Sequence, residues 1–121
     1  MQLSHQQVSF FRQMGYLKLP ALLPRVSIHQ MKKAILYNIN EKIDPYRCDD
    51  KERIIRIDNI IDREPIFQEV FISPFILEPL ISLLGPNIEL ARNRHNHATI
   101  NLKGSHPPRL HRDVFSGHDL L

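Results

Sequence analysis

The sequence is short of several things. It has one cysteine, Cys48, set between Arg47 and Asp49. An internal disulfide is therefore impossible, the polar neighbours argue for a loop, and a lone thiol fits a reducing compartment. No apolar run approaches the roughly 20 residues that a membrane helix needs. The opening MQLSHQQVSFFRQMG has neither the cationic start nor the continuous apolar stretch of a signal peptide. A soluble cytoplasmic protein is expected, with no membrane as partner. Charge of one sign is not concentrated anywhere. The 16 Lys and Arg residues against 13 Asp and Glu give a net charge of +3 and a pI near 9.2. They are spread along the chain, so nothing resembles a nucleic-acid patch and no nucleic-acid partner is expected. Internal repeats, low-complexity tracts and interdomain linkers are also missing. A chain of 121 residues makes one domain, 1–121.

What is present reads as helices first and strands later. Ser4 can cap a helix carrying Val8, Phe11 and Met14 at helical spacing, with Gly15 as its stop. Tyr16 to Leu19 is a short strand candidate ended by Pro20. Pro24 opens a second helix with Ile28, Met31, Ile35 and Ile39 on one face. Residues 41–53 are expected to form a polar loop, and Arg53 to Ile57 a β-branched strand. Ile66, Phe67, Val70 and Phe71 after Pro65 suggest a short helix. Ser73-Pro74 is a start signal for another that carries Leu77, Leu80, Ile81 and Leu84 and meets Gly85-Pro86. Core packing is the expectation for all of these apolar stripes. From residue 88 the texture changes. Ile88, Leu90, Ala98, Ile100 and Leu102 share one parity, and Asn93, His95, His97, Thr99, Asn101 and Lys103 share the other. That alternation predicts one long strand or two shorter ones. Residues 104–108 read as a loop with two prolines, and Leu110 to Val114 can resume a strand. The fold class expected is α+β, helical over 1–86 and stranded over 87–121.

Chemistry-bearing residues concentrate in the second part. On a strand, residues i and i+2 point the same way, so His111 and Asp113 would present an imidazole and a carboxylate to one point. Two histidines and one carboxylate on a face of an octahedral Fe(II) leave three positions open for substrate and oxygen. His-x-Asp alone is a loose match, and on spacing alone the pair reads as a surface histidine beside a solvated aspartate. His95 and His97 are also i, i+2 and can bind a divalent metal, with His118 a further donor near His111, although polar residues on a strand face are the simpler reading. Lys103 and Asn101 can hold a carboxylate by charge and hydrogen bond, or can be solvated at a strand end; the residues alone do not choose.

Three segments together resemble one family. FFRQMGYLKLPALLP is similar to the start of the phytanoyl-CoA dioxygenase family of Fe(II)/2-oxoglutarate oxygenases. PIFQEVFISPFILEPLISLLGPNIEL resembles its helical segment ending in Leu-Leu-Gly-Pro. NHATINLKGSHPPRLHRD resembles its first long core strand, loop and His-x-Asp. The order and spacing agree over nearly the whole chain. The resemblance implies a double-stranded β-helix, a jelly roll of the cupin kind, with N-terminal helices packed against it. It implies His111 and Asp113 as iron ligands, Asn101 bonding 2-oxoglutarate, and His97 and Lys103 near that cosubstrate. The reaction it implies couples decarboxylation of 2-oxoglutarate to succinate with hydroxylation of a C–H bond in a small organic substrate. A carboxylate ligand favours hydroxylation over halogenation.

That family's second histidine ligand and its 2-oxoglutarate arginine lie on later strands, which are absent from these residues. The chain therefore reads as the N-terminal portion of an oxygenase, truncated before the last ligands, with a catalytically inactive remnant or binding module as the alternative. Half a jelly roll leaves strand edges unpaired. Marginal stability or self-association through residues 88–114 is the structural expectation, and neither the substrate nor the use of a coenzyme A thioester is legible.

Overall fold

In the computed structural model, which describes residues 2–93 and 95–104, Ser4 starts the first helix as its chemistry dictates. Its hydroxyl oxygen accepts from the Gln7 backbone N–H at 3.2 Å, while its own N–H donates to the Gln7 side chain at 2.9 Å. This reciprocal bonding satisfies two donors that a helix start otherwise leaves open. Helix α1 runs His5–Met14 and ends at Gly15, whose φ of 77° closes the last turn. The expected strand at Tyr16 to Leu19 does not form. Tyr16 instead turns back on α1, its ring edge-on to Phe10 at 5.5 Å, and the segment finds no strand to pair with.

Helix α2 spans Arg25–Asn40 after Pro24. Met31, Ile35 and Ile39 pack on the core as expected, with Ala34 beside them, whereas Ile28 is exposed. The stretch expected as a polar loop contains strand β1, Tyr46–Cys48, because it pairs with strand β2, Ile54–Asp58. Asp49 closes the hairpin between them. One carboxylate oxygen accepts from the backbone N–H of Lys51 and of Arg53, and the other takes the Arg53 guanidinium. Such local bonding of an aspartate favours a turn over further ladder. The strand read at Arg53 to Ile57 is present with a shift of one residue.

Two short helices follow, α3 at Ile60–Arg63 and α4 at Pro65–Phe71, then α5 at Pro74–Leu84. Sequence periodicity does not anticipate α3, which is only one turn long. Ser73 precedes α5 as expected, but its hydroxyl donates to the Val70 carbonyl at 2.6 Å and does not cap α5. It satisfies the exposed end of α4, which lies nearer. Strand β3 covers only His97–Thr99, not the long run expected over 88–103. The reason is local. Asn96 is buried, and its side-chain oxygen accepts from the Ile61 N–H at 2.9 Å while its amide donates to the Arg92 carbonyl. Arg92 also pairs with Asp62, and His95 takes φ of 50°. These ties hold Arg92, His95 and Asn96 off the strand path beside α3, and a positive φ is incompatible with an extended strand.

The described residues thus form a mixed α/β structure, with five helices and one three-stranded antiparallel sheet in the order β1-β2-β3. Two of the strands lie within residues 1–86, where β2 is expected as a strand and β1 is not. The core lies on one face of the sheet, where Ile57, Ile60, Ile61 and Phe67 are buried against α2, α4 and Ala98. Val70 is buried as well. The apolar stripe of α5 departs from the core-packing expectation. That helix packs on α4 and α1 and buries Pro79, leaving Leu80, Ile81 and Leu84 exposed, Leu84 by 63%. Among the described residues no single helix is long and apolar enough to cross a membrane; α4 and α5 together have the length and composition but bend by 44°.

Candidate functional site

The other face of the sheet is polar, and it carries one of the histidines singled out by sequence. Antiparallel pairing sets His97 opposite Asp58, Thr99 opposite Arg56, and Arg47 opposite Arg56 on the far side. Residues opposite one another project from the same face, and so do residues two apart on a strand. Arg47, Arg56, Asp58, His97 and Thr99 therefore share one surface, while Ile57 and Ala98 face the core.

The electrostatics centre on Asp58. One of its carboxylate oxygens accepts from Arg56 Nε at 2.6 Å and the other from Arg47 Nε at 3.3 Å. Burial acts to raise the Asp58 pKa, but the hydrogen bond and charge of Arg56, and then Arg47, hold it below the ordinary carboxylate value. His97 is half-buried, and its Nδ1 is buried without a hydrogen-bond partner among the described residues. Burial first, and then the positive charge of Arg56, lower its pKa, against the smaller opposing pull of Asp58. His97 is thus held towards its neutral form. Its ring lies 6.1 Å from that of His95.

The back of the site is fixed by Arg63. Its Nε donates to the Asp58 carbonyl at 2.6 Å, and one terminal nitrogen donates to the Asn38 side chain at 2.9 Å and to the Ile43 carbonyl at 2.7 Å. The other terminal nitrogen donates to the Pro45 carbonyl. The same Pro45 carbonyl accepts from the Asp58 N–H at 3.1 Å, so the end of β2 is held from both sides. Asn38 is buried, and its amide donates to the Ala34 carbonyl and the Glu64 carboxylate. Buried polar groups are stable only when bonded, and this cluster joins the end of α2, the loop before β1, the end of β2 and the end of α3.

The sequence-derived site is placed only in part. His97 lies on β3 within the polar face. Asn101 and Lys103 follow it and are exposed, beyond Ile100, whose N–H donates to the Ile55 carbonyl at 2.8 Å. The parity read from sequence holds here, with Ala98, Ile100 and Leu102 turned inward relative to Thr99, Asn101 and Lys103. His111, Asp113 and His118, and the strand expected over Leu110 to Val114, lie outside the described residues. Among the described residues no group of three or more His, Cys, Asp or Glu side chains is placed to hold a metal ion. Sequence reasoning missed Arg47, Arg56, Asp58 and Arg63. Arg56 and Asp58 stand at i, i+2 on a strand that it did find, which was the available signal. Arg47 and Arg63 join them only through pairing.

An exposed amide and ammonium, Asn101 and Lys103, follow β3, whereas the His97 Nδ1 is buried and has no hydrogen-bond partner among the described residues. In the comparisons with known proteins, no family model, no curated protein and no solved structure matches the chain.

Proposed function

We propose that the chain is a cytoplasmic protein of the Fe(II)/2-oxoglutarate oxygenase class, of the phytanoyl-CoA dioxygenase kind, which hydroxylates a small organic substrate. Its three resembling segments correspond to that family's N-terminal portion. The observation that carries this reading is the two-faced sheet. Helices α2, α3 and α4 cover one face, and the opposite face is lined with polar side chains that include His97 and its unpartnered nitrogen. A jelly roll has its site on such a face, inside the barrel.

In this reading His111 and Asp113 hold Fe(II), and Asn101, Lys103 and His97 hold 2-oxoglutarate. Iron with its cosubstrate supplies oxidative C–H chemistry when bound. The chain's own residues supply charge and hydrogen bonds. Lys103 offers a cation for a carboxylate, and Asn101 offers an amide N–H. His97 stays neutral beside Arg56 and so can donate one N–H without adding a charge.

The test is succinate release from 2-oxoglutarate by the native protein with Fe(II). Release that requires iron, and that Asp113→Ala abolishes, supports the reading. Turnover untouched by Asp113→Ala overturns the iron assignment, and no succinate at all favours the alternative, a catalytically inactive remnant or binding module of the same fold.

A further inference from the structure

The polar face contains a conflict that the reading above does not use. Arg47 and Arg56 are direct partners across β1 and β2, and like charges placed opposite one another destabilise a strand pair. A local rule broken in a folded protein points to a functional or strained position. Asp58 compensates only half of it. One carboxylate binds both guanidiniums, through Nε in each case, at 2.6 Å to Arg56 and 3.3 Å to Arg47. Two cations against one anion leave a positive charge over.

The geometry of the pairing matters as much as the sum. Among the described residues, the hydrogen bonds these two arginines make run through Nε. A guanidinium held that way keeps the fork of its two terminal nitrogens, which suits a carboxylate or phosphate oxygen pair. Adjacent strands lie about 4.8 Å apart, close enough for one oxyanion to accept from both forks. Asp58 meanwhile fixes both side chains at their base, so less rotamer freedom is lost on binding. Thr99 is the cross-strand partner of Arg56 on the other side, on β3, and so brings a hydroxyl to the same face. The Arg47 side chain is 64% exposed, so a ligand reaches the pair from solvent. His97, facing Asp58 across β2 and β3, is kept from becoming a third cation by burial and by Arg56.

We infer that Arg47 and Arg56, with the Thr99 hydroxyl beside them, form a seat for one oxyanion, the phosphate or carboxylate group of a small ligand. The seat uses none of the residues assigned to iron or 2-oxoglutarate, so it stands or falls separately from that assignment.

The full chain is titrated with inorganic phosphate and, separately, with succinate, at ionic strength held constant with sodium chloride because exposed charges are screened. The thermal midpoint and the NMR signals of the arginine Nε–H groups are followed. The expected result is a saturable rise in the midpoint with at least one of the two anions, absent with chloride, together with shifts of two arginine signals. The stronger of the two responses says whether a phosphate or a carboxylate is the natural group. Arg56→Gln should weaken binding by about tenfold, the scale of losing one charge-assisted fork. Arg47→Gln should do the same, and because that side chain is largely exposed the fold survives the change. Arg12→Gln, on α1, should leave binding as it was. A response no greater than that of chloride, or one that persists in Arg47→Gln, overturns the proposal.

Discussion

Arg63 donates a hydrogen bond of 2.9 Å to the side chain of Asn38, a residue 25 positions earlier. That bond joins the last turns of α2 to α3, and through the other Arg63 nitrogens to the carbonyls of Ile43, Pro45 and Asp58. The chain passes from helix into sheet around this one guanidinium. Burial lowers its pKa, and the charges of Asp58 and Asp44 oppose that, so it stays a cation across any ordinary pH.

Arg63→Met should therefore be the most damaging single change outside the apolar core. It takes a donor from the Asp58, Ile43 and Pro45 carbonyls and from the Asn38 oxygen, of which the Pro45 carbonyl keeps the Asp58 N–H. The expected loss is about 2–4 kcal/mol, from several unmet partners at roughly 1 kcal/mol each. Arg63→Lys should recover little of it, since an ammonium cannot span four acceptors in the fork geometry. Urea denaturation of the three proteins measures both statements.

In the core, Ile57→Ala should cost about 2–5 kcal/mol, as large-to-small changes at packed sites do. Ile57 is 1% exposed and sits at the centre of the buried cluster. By contrast, in protein dilute enough to be monomeric, Leu84→Ala on α5, at 63% exposed, should change stability by about 0.5 kcal/mol or less. Equal losses at the two positions would mean that α5 is covered in solution.

Asn96→Ala should loosen the turn before β3. The change removes the acceptor for the Ile61 N–H and the donor to the Arg92 carbonyl, at a cost of about 1–3 kcal/mol. Hydrogen exchange at the Ile61 amide is the direct readout, and protection there should fall before protection at Ile57.

The His97 environment sets a pH dependence with a definite sign. Its folded pKa lies below its unfolded value, so the unfolded chain binds more protons between the two. Stability should be complete above the unfolded histidine value, about 6.5, and should fall as the pH drops below it towards the folded value. His97→Gln should flatten the slope of stability against pH below about pH 6.5. Asp58, whose pKa is lowered, acts further down. Its contribution is present above the ordinary carboxylate value and is lost as pH falls through its own. An unchanged slope near pH 6 in His97→Gln would show that the ring is as free to protonate in the folded state as in the unfolded one.

The exposed apolar surface predicts self-association. Ile72, Leu84 and Leu90 are largely exposed on a groove shared with Phe71, Leu77 and Leu80. Patches of this kind drive contact between chains. Light scattering should show a mass that rises with concentration, and Leu84→Asp with Leu90→Asp should return it to 14.2 kDa.

Several elements were legible in the residues alone, because their determinants are local. Ser4 and Gly15 bound α1, Pro24 opens α2, and Pro65 and Pro74 stand at the first positions of α4 and α5. The β-branched run before Asp58 is a strand. The inward parity of Ala98, Ile100 and Leu102 was also visible, since alternation needs no knowledge of a partner.

Tertiary structure decided the rest. Only pairing with β2 makes a strand of Tyr46–Cys48, and only the bonds of Asn96 to α3 end the alternation of residues 88–103 short of a long strand. Likewise, which apolar stripe becomes core depends on what lies opposite. The stripe on α2 meets Ile57 and is buried, while the stripe on α5 meets too little to cover it. The polar face is the clearest case. Arg47, Arg56 and His97 span fifty residues of sequence, and nothing local links them. The register of two strand pairs sets them side by side, because a ladder fixes neighbours by backbone hydrogen bonds whatever their side chains carry.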